Sequence, residues 1–225
     1  MRKCFLVVLS CVIYSMFGVM PANALAADQL TPALFQKVGD QHDVPADLLY
    51  AVARTESGRT FDGEHTPWPW TLNVAGLGSY FNSRAEACRA LRVALEQTSL
   101  VDVGVAQLNV YWNPGLFSAG KRFSDPCVAL DPHDNLDAAA AILRSHFDAT
   151  GHWLTATGRY HRPAGGEAAR RYAETVASHL KPHRNAEAQR SARSSILSNS
   201  GSAQVQAATT RWVAPVAMVW ISPGG

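Results

Sequence analysis

Apolar and polar positions recur with a helical period through much of the stretch from residue 31 to residue 180. Thr31 before Pro32 predicts a first helix start, with Leu34, Phe35 and Val38 as its apolar face and Gly39 as its end. The spacing of Leu48, Leu49, Val52 and Ala53 predicts a second helix over 43–58, with Pro45 in its opening turn and Gly58 as the stop. Residues 59–83 change character. They are rich in turn formers and aromatics, and 70–74 with 78–81 around Ala75-Gly76-Leu77 predict a small β-hairpin. Ser83 with Glu86 three residues on is a capping box for a helix over 84–97, which buries Ala87, Leu91, Ala94 and Leu95. A turn over 130–135 leads into a helix at about 134–149, packed through Leu136, Ala139, Ala140, Leu143 and Phe147 and broken by Gly151. A short helix over 153–160 and a last one over 167–179, with Ala168, Tyr172, Val176 and Leu180 on one face, complete the pattern. The expected fold class is mainly α (α+β), helical with a small β-hairpin insertion.

One position conflicts with the second helix. Glu56 lies four residues after Val52 and seven after Leu49, so it falls on the apolar stripe. It also sits in the last turn, where the helix dipole disfavours negative charge. Burial and dipole both raise a carboxyl pKa, which suits a general acid. For the helix taken alone the alternative is a side chain turned out to solvent past a frayed end.

The segment 101–112 holds Gly104, which permits close backbone approach, and the uncharged amides Gln107 and Asn109 among apolar neighbours. Tyr111, Trp112 and Phe117 follow in an aromatic loop. Trp68, Trp70, Tyr80 and Phe81 fit either a surface that stacks on sugar rings or a share of the core.

Composition adjusts this picture at the two ends. Basic Arg2 and Lys3, an apolar run from Phe5 to Met20 and the small-x-small Ala24-Leu25-Ala26 predict a secretory signal peptide over 1–26. The run is short for a retained membrane span. Without the signal, Cys88 and Cys127 are the remaining cysteines, and in an exported chain they read as one disulfide. That bridge is worth roughly 4 kcal/mol on chain-entropy grounds. No CxxC or HExxH spacing exists, so neither a metal site nor a cofactor is expected. The 20 Lys and Arg against 18 Asp and Glu become balanced once Arg2 and Lys3 are removed, which is not a nucleic-acid-binding composition. Residues 184–225 lose periodicity and become Ser-, Ala- and Gln-rich, predicting a low-complexity, disordered tail after a domain over 27–183. The apolar stretch Val213–Ile221 is far too short to span a bilayer.

Four pieces taken in order then carry a family resemblance: Glu56-Ser57, Gly104-Val-Ala-Gln-Leu-Asn109, Asp131-Pro with Asn135-Leu136, and Arg159-Tyr160-His161. They resemble the catalytic domain of the soluble lytic transglycosylase family, over about residues 31–180. The resemblance implies a goose-lysozyme-like, lysozyme-like helical fold acting on peptidoglycan glycan strands in the bacterial periplasm. It implies Glu56 as the catalytic acid, and Ser57, Gln107, Asn109, Tyr160 and His161 as substrate-binding residues. The Trp-Pro-Trp-Thr-Leu-Asn-Val insertion and the Tyr-His ending look most like the branch associated with conjugation, pilus and secretion-system assembly. Two positions depart from the family pattern: Ala106 stands where a Met is usual, and His161 where an Asn is usual.

Glycoside cleavage requires a carboxylic acid that holds its proton near neutral pH. Hydrolysis also requires a second carboxylate, for which Asp62, Glu64 and Asp102 are the candidates. A lytic transglycosylase dispenses with it, because the substrate's C6 hydroxyl attacks the anomeric carbon and leaves a 1,6-anhydro end. The expected reaction is non-hydrolytic cleavage of the MurNAc-GlcNAc β-1,4 bond. A hydrolytic muramidase of the same fold and a non-catalytic wall-binding scaffold are the alternatives.

Overall fold

The computed structural model describes residues 29–180. The expected signal peptide over 1–26 and the expected tail over 184–225 lie outside the described residues. Helix α1 is Pro32–His42 and α2 is Ala46–Ser57. Two hairpins follow: β1, Gly58–Phe61, pairs antiparallel with β2, Glu64–Pro67, and β3, Thr71–Val74, pairs antiparallel with β4, Leu77–Tyr80. Helix α3 is Arg84–Leu95. Strands β5, Val101–Val103, and β6, Leu108–Asn109, extend the second hairpin into a four-stranded sheet in the order β4-β3-β5-β6. Then come the short α4, Pro114–Phe117, a 3-10 turn over Pro126–Leu130, α5, Pro132–Thr150, and α6, Trp153–His161. Residues 167–180 form a further helix, α7. The fold is mainly helical with a small antiparallel sheet, in the lysozyme-like class.

Several boundaries differ from the sequence expectation for identifiable reasons. Helix α1 continues past Gly39 to His42, and Asp43, in the left-handed region at φ 51°, turns the chain instead. Gly58 does end α2, but at φ −59° it leads straight into β1. Its requirement is space, since a Cβ there would strike the His65 ring and the Arg54 carbonyl. Helix α5 begins at Pro132, two residues earlier than expected, because Asp131 caps it by accepting from the His133 and Asp134 amides at 3.0 and 3.2 Å. The first hairpin and the strands on either side of Gly104 carry no clear alternation in sequence.

Helix α5 separates two apolar clusters. Its Ala138 and Ala139 join Leu72, Leu91, Val101, Val103, Phe123 and Leu130 around the sheet and α3. Its Leu136, Ala140 and Leu143 join Phe35, Leu49, Val52, Tyr172 and Val176 between α1, α2 and α7. Trp68 and Trp70 belong to the first cluster, 6 % and 4 % exposed, which decides between the two alternatives for these rings in favour of the core. The disulfide Cys88–Cys127 ties α3 to the 3-10 turn before α5.

The turn over residues 104–107 is held from below by Asn135. That side chain is fully buried. Its amide nitrogen donates to the Val103 and Ala129 carbonyls at 2.9 and 2.8 Å, and its oxygen accepts from the Ala106 amide at 2.8 Å. Gly104, at φ +80°, leaves the room this requires, since a Cβ would collide with the Asn135 amide. The substitution Asn135→Leu keeps the volume but removes three hydrogen bonds to backbone groups in the buried turn. It is expected to lower the unfolding free energy by about 3 kcal/mol or more, read from urea denaturation. An unchanged midpoint would mean that the turn is held by something else.

Candidate active site

Glu56 occupies the last turn of α2, partly buried, on the side toward α7. Its Oε1 accepts a hydrogen bond of 2.6 Å from the Tyr172 hydroxyl. Tyr172 is itself nine-tenths buried, and its ring lies parallel to that of His161, with centroids 4.6 Å apart and planes 5° from coplanar. Burial pushes the Glu56 pKa up to about 7; the Tyr172 bond draws it down, and the nearby charge of Asp102 adds to the rise. The carboxyl group therefore shares its ionisation between both forms near neutral pH, the poise that acid and base work demand.

Asp102 lies in β5, directly across the ladder from Asn109 of β6. Burial raises its pKa, while a 2.7 Å hydrogen bond from the Asn109 amide nitrogen and the charge of His161 act against the rise. Tyr160 reaches the same region from α6 and donates to the Ala106 carbonyl at 2.7 Å. Its hydroxyl is held well above the usual phenol range by burial, with the charges of Glu56 and Asp102 adding to the effect. The cluster therefore comprises Glu56, Asp102, Tyr160, His161 and Tyr172, drawn from α2, β5, α6 and α7. Asp62 and Glu64 are exposed at the tip of the first hairpin, and among the three candidate second carboxylates Asp102 is the one acting on Glu56.

The other expected site residues each have partners of their own. Ser57 is fully buried, so it lines no open groove. Its hydroxyl lies 2.7 Å from the Val105 carbonyl and 3.0 Å from the Ala53 carbonyl, and accepts from the Trp68 amide at 3.3 Å. Gln107 takes the left-handed region at φ 48°, and its side-chain nitrogen donates to the Gly104 and Thr71 carbonyls at 2.8 and 3.2 Å. Asn109 holds Asp102 on one side and accepts from the Trp112 amide at 3.0 Å on the other. His161 is exposed.

Spacing alone places Tyr172 on the apolar face of the last helix and marks it as a core residue. The available signal was chemical, since a tyrosine hydroxyl carried into a core requires a polar partner. Nothing in the spacing pointed to Glu56, 116 positions earlier.

Among the described residues no group of three or more His, Cys, Asp or Glu is placed to hold a metal ion, and no helix is long and apolar enough to cross a membrane. Residues 33–185 match the family described as Transglycosylase SLT domain. No curated protein and no solved structure matches the chain.

Two outcomes follow from the ionisation of Glu56. Native Glu56 binds its proton more tightly than the unfolded chain does. Stability therefore falls as pH rises from the ordinary glutamate value to about 7, by roughly 3 kcal/mol. Glu56→Gln removes this slope and is expected to be more stable than the parent at pH 8, measured by urea denaturation at successive pH values. Tyr172→Phe removes the bond that favours the carboxylate, so the Glu56 titration midpoint, followed by carboxyl NMR, moves to higher pH. A midpoint that stays or falls would show that the bond to Tyr172 does not tune this group.

Proposed function

Since the chain belongs to the Transglycosylase SLT domain family, we propose that it is a peptidoglycan lytic transglycosylase using Glu56 as its single acid and base. The observation that carries this reading is the poise of Glu56, with a pKa of about 7 and a carboxyl oxygen fixed by Tyr172. Protonated Glu56 donates to the glycosidic oxygen between MurNAc and GlcNAc, and the C1–O4 bond breaks. The C6 hydroxyl of the same MurNAc then attacks C1, and the Glu56 carboxylate takes up the proton released from O6. The product is a 1,6-anhydro-MurNAc end, and Glu56 returns to its starting form. The substrate's N-acetyl group assists at C1. Tyr160, His161, Gln107 and Asn109 border the site, with Tyr160 and Gln107 fixing its backbone and Asn109 fixing Asp102.

The cellular setting belongs to the same proposal. Residues 1–26 serve as a secretory signal, the domain over 27–183 acts in the periplasm, and the segment 184–225 is a separate tail. Local opening of the wall for a conjugation, pilus or secretion apparatus is the role that the Trp-Pro-Trp insertion and the Tyr-His ending favour.

A second reading has one observation in its favour. The charge of Asp102 acts on Glu56, and this carboxylate would serve as the second one that a hydrolytic muramidase requires. Mass spectrometry of digested peptidoglycan separates the two. Anhydro-MurNAc ends are expected, and reducing ends in their place would replace the first reading by the second. Glu56→Gln is expected to lower the rate about a thousandfold, and lysis that survives it would end both enzymatic readings. The rate is also expected to fall above about pH 7 as the acid form of Glu56 is lost.

A further inference from the structure

The first hairpin is a sheet of its own. Strands β1 and β2 pair with each other and with none of the four strands of the second sheet. A lone two-stranded ribbon is marginal in water, so its place depends on what its side chains meet. At its base the Gly58 carbonyl accepts from the Tyr80 hydroxyl at 2.8 Å, and the Arg59 guanidinium lies over the Trp68 ring, 4.8 Å from its centroid. Nearer the exposed Asp62-Gly63 turn, His65 stands opposite Thr60, whose hydroxyl lies 3.1 Å from His65 Nδ1. Gly58 leaves the space that the His65 ring fills. The same ring faces that of His179, near the end of the described part of α7, with centroids 6.0 Å apart and planes 24° from parallel. A third basic group is close. The charge of Arg54 in α2 acts on His179, and the Arg54 Nε is buried with no hydrogen-bond partner among the described residues.

We propose that the His65–His179 stack is an acid-sensitive latch, which holds the first hairpin against α7 while both rings are neutral and releases it when they take up protons. Its first support is the meeting of three elements. Arg54, His65 and His179 come from α2, β2 and α7, and none of the three forms an ion pair with a carboxylate among the described residues. Two imidazolium rings face to face beside a guanidinium repel one another, whereas neutral rings stack. Its second support is the sign of the electrostatics. Burial keeps the His179 pKa below the ordinary histidine value of 6.5, and the charges of Arg54 and His65 add to the fall. The latch is therefore fully in place above about pH 6.5 and weakens as pH falls below it. The linkage through Glu56 has the opposite sign, since the native carboxyl group binds its proton more tightly than the unfolded chain does. Strand β1 begins directly after Glu56-Ser57, so release of the hairpin loosens the chain on the C-terminal side of the acid.

The test is amide hydrogen exchange of the full chain, corrected for intrinsic rates and compared at about pH 7.5 and about pH 5.5, on either side of an ordinary histidine pKa. The amides of β1 and β2 are expected to lose protection about tenfold at the lower pH, while those that join β3 to β5 keep theirs. His179→Phe retains a flat ring without a titrating nitrogen and is expected to remove most of the difference. His65→Phe makes the same change from the hairpin side and is read in the same way. Equal protection of the hairpin at both pH values in the parent overturns the proposal. So does a loss at low pH that survives in both phenylalanine variants. A loss shared equally by β3 and β5 also overturns it, because the whole fold and not the hairpin would then be responding.

Discussion

The Ser57 hydroxyl has a single proton and three backbone neighbours. Its shorter contact, 2.7 Å, is to the Val105 carbonyl, and the longer one, 3.0 Å, is to the Ala53 carbonyl one helical turn back. The Trp68 amide approaches the same oxygen at 3.3 Å. One buried side chain therefore joins the end of α2, the turn over 104–107 and the strand β2 that leads to Trp68. Asn135 holds that turn from α5, and the Tyr160 hydroxyl holds its Ala106 carbonyl from α6. The turn is fixed by three polar side chains from three helices. Buried polar groups with all partners present specify one geometry far more sharply than apolar contacts do.

Glu56 depends on this arrangement. The residue before Ser57 has its backbone position set by it, so the carboxyl group has little freedom to swing out to water. The end of α2 has no αL cap, because the chain passes directly into β1 at Gly58. A carboxylate there meets the negative end of the helix dipole and a low-dielectric surround together. Tyr172 offers a partial remedy, one charge-assisted bond, and the net result is a group poised near neutrality instead of one kept permanently neutral.

The helices were legible because their apolar stripes are periodic and two of their starts carry explicit caps, Thr31 and Ser83; the cap Asp131 reads in sequence as part of a turn. The hairpin at residues 71–80 was legible from its turn. The other strands were not. Strands β5 and β6 are three and two residues long, too short for alternation to register, and their existence depends on pairing, β5 with β3 and β6 with β5. Glu56 could be singled out as a charge on an apolar face, but its partner could not, because Tyr172 reads as one more core position of α7. Ser57, Gln107 and Asn109 belong to the site by motif. Their bonds show that Ser57 and Gln107 brace backbone and that Asn109 positions Asp102 and Trp112. Sequence spacing identifies such residues as a set without distinguishing those that face the substrate from those that hold the site in shape.

In the proposed reaction, Asp102 bears on how a single acid manages two opposite proton transfers. Its charge raises the affinity of Glu56 for a proton, which favours the first half of the reaction and also strengthens Glu56 as the base of the second. Positive charge developing at the anomeric carbon would be stabilised by the same carboxylate. Asn109 and His161 act in the opposite sense, favouring the ionised form of Asp102 against its burial. A neutral Asp102 would forfeit both effects. The bond from Asn109 thus links the poise of Glu56 to the loop after β6, through Asp102 on one side and the Trp112 amide on the other.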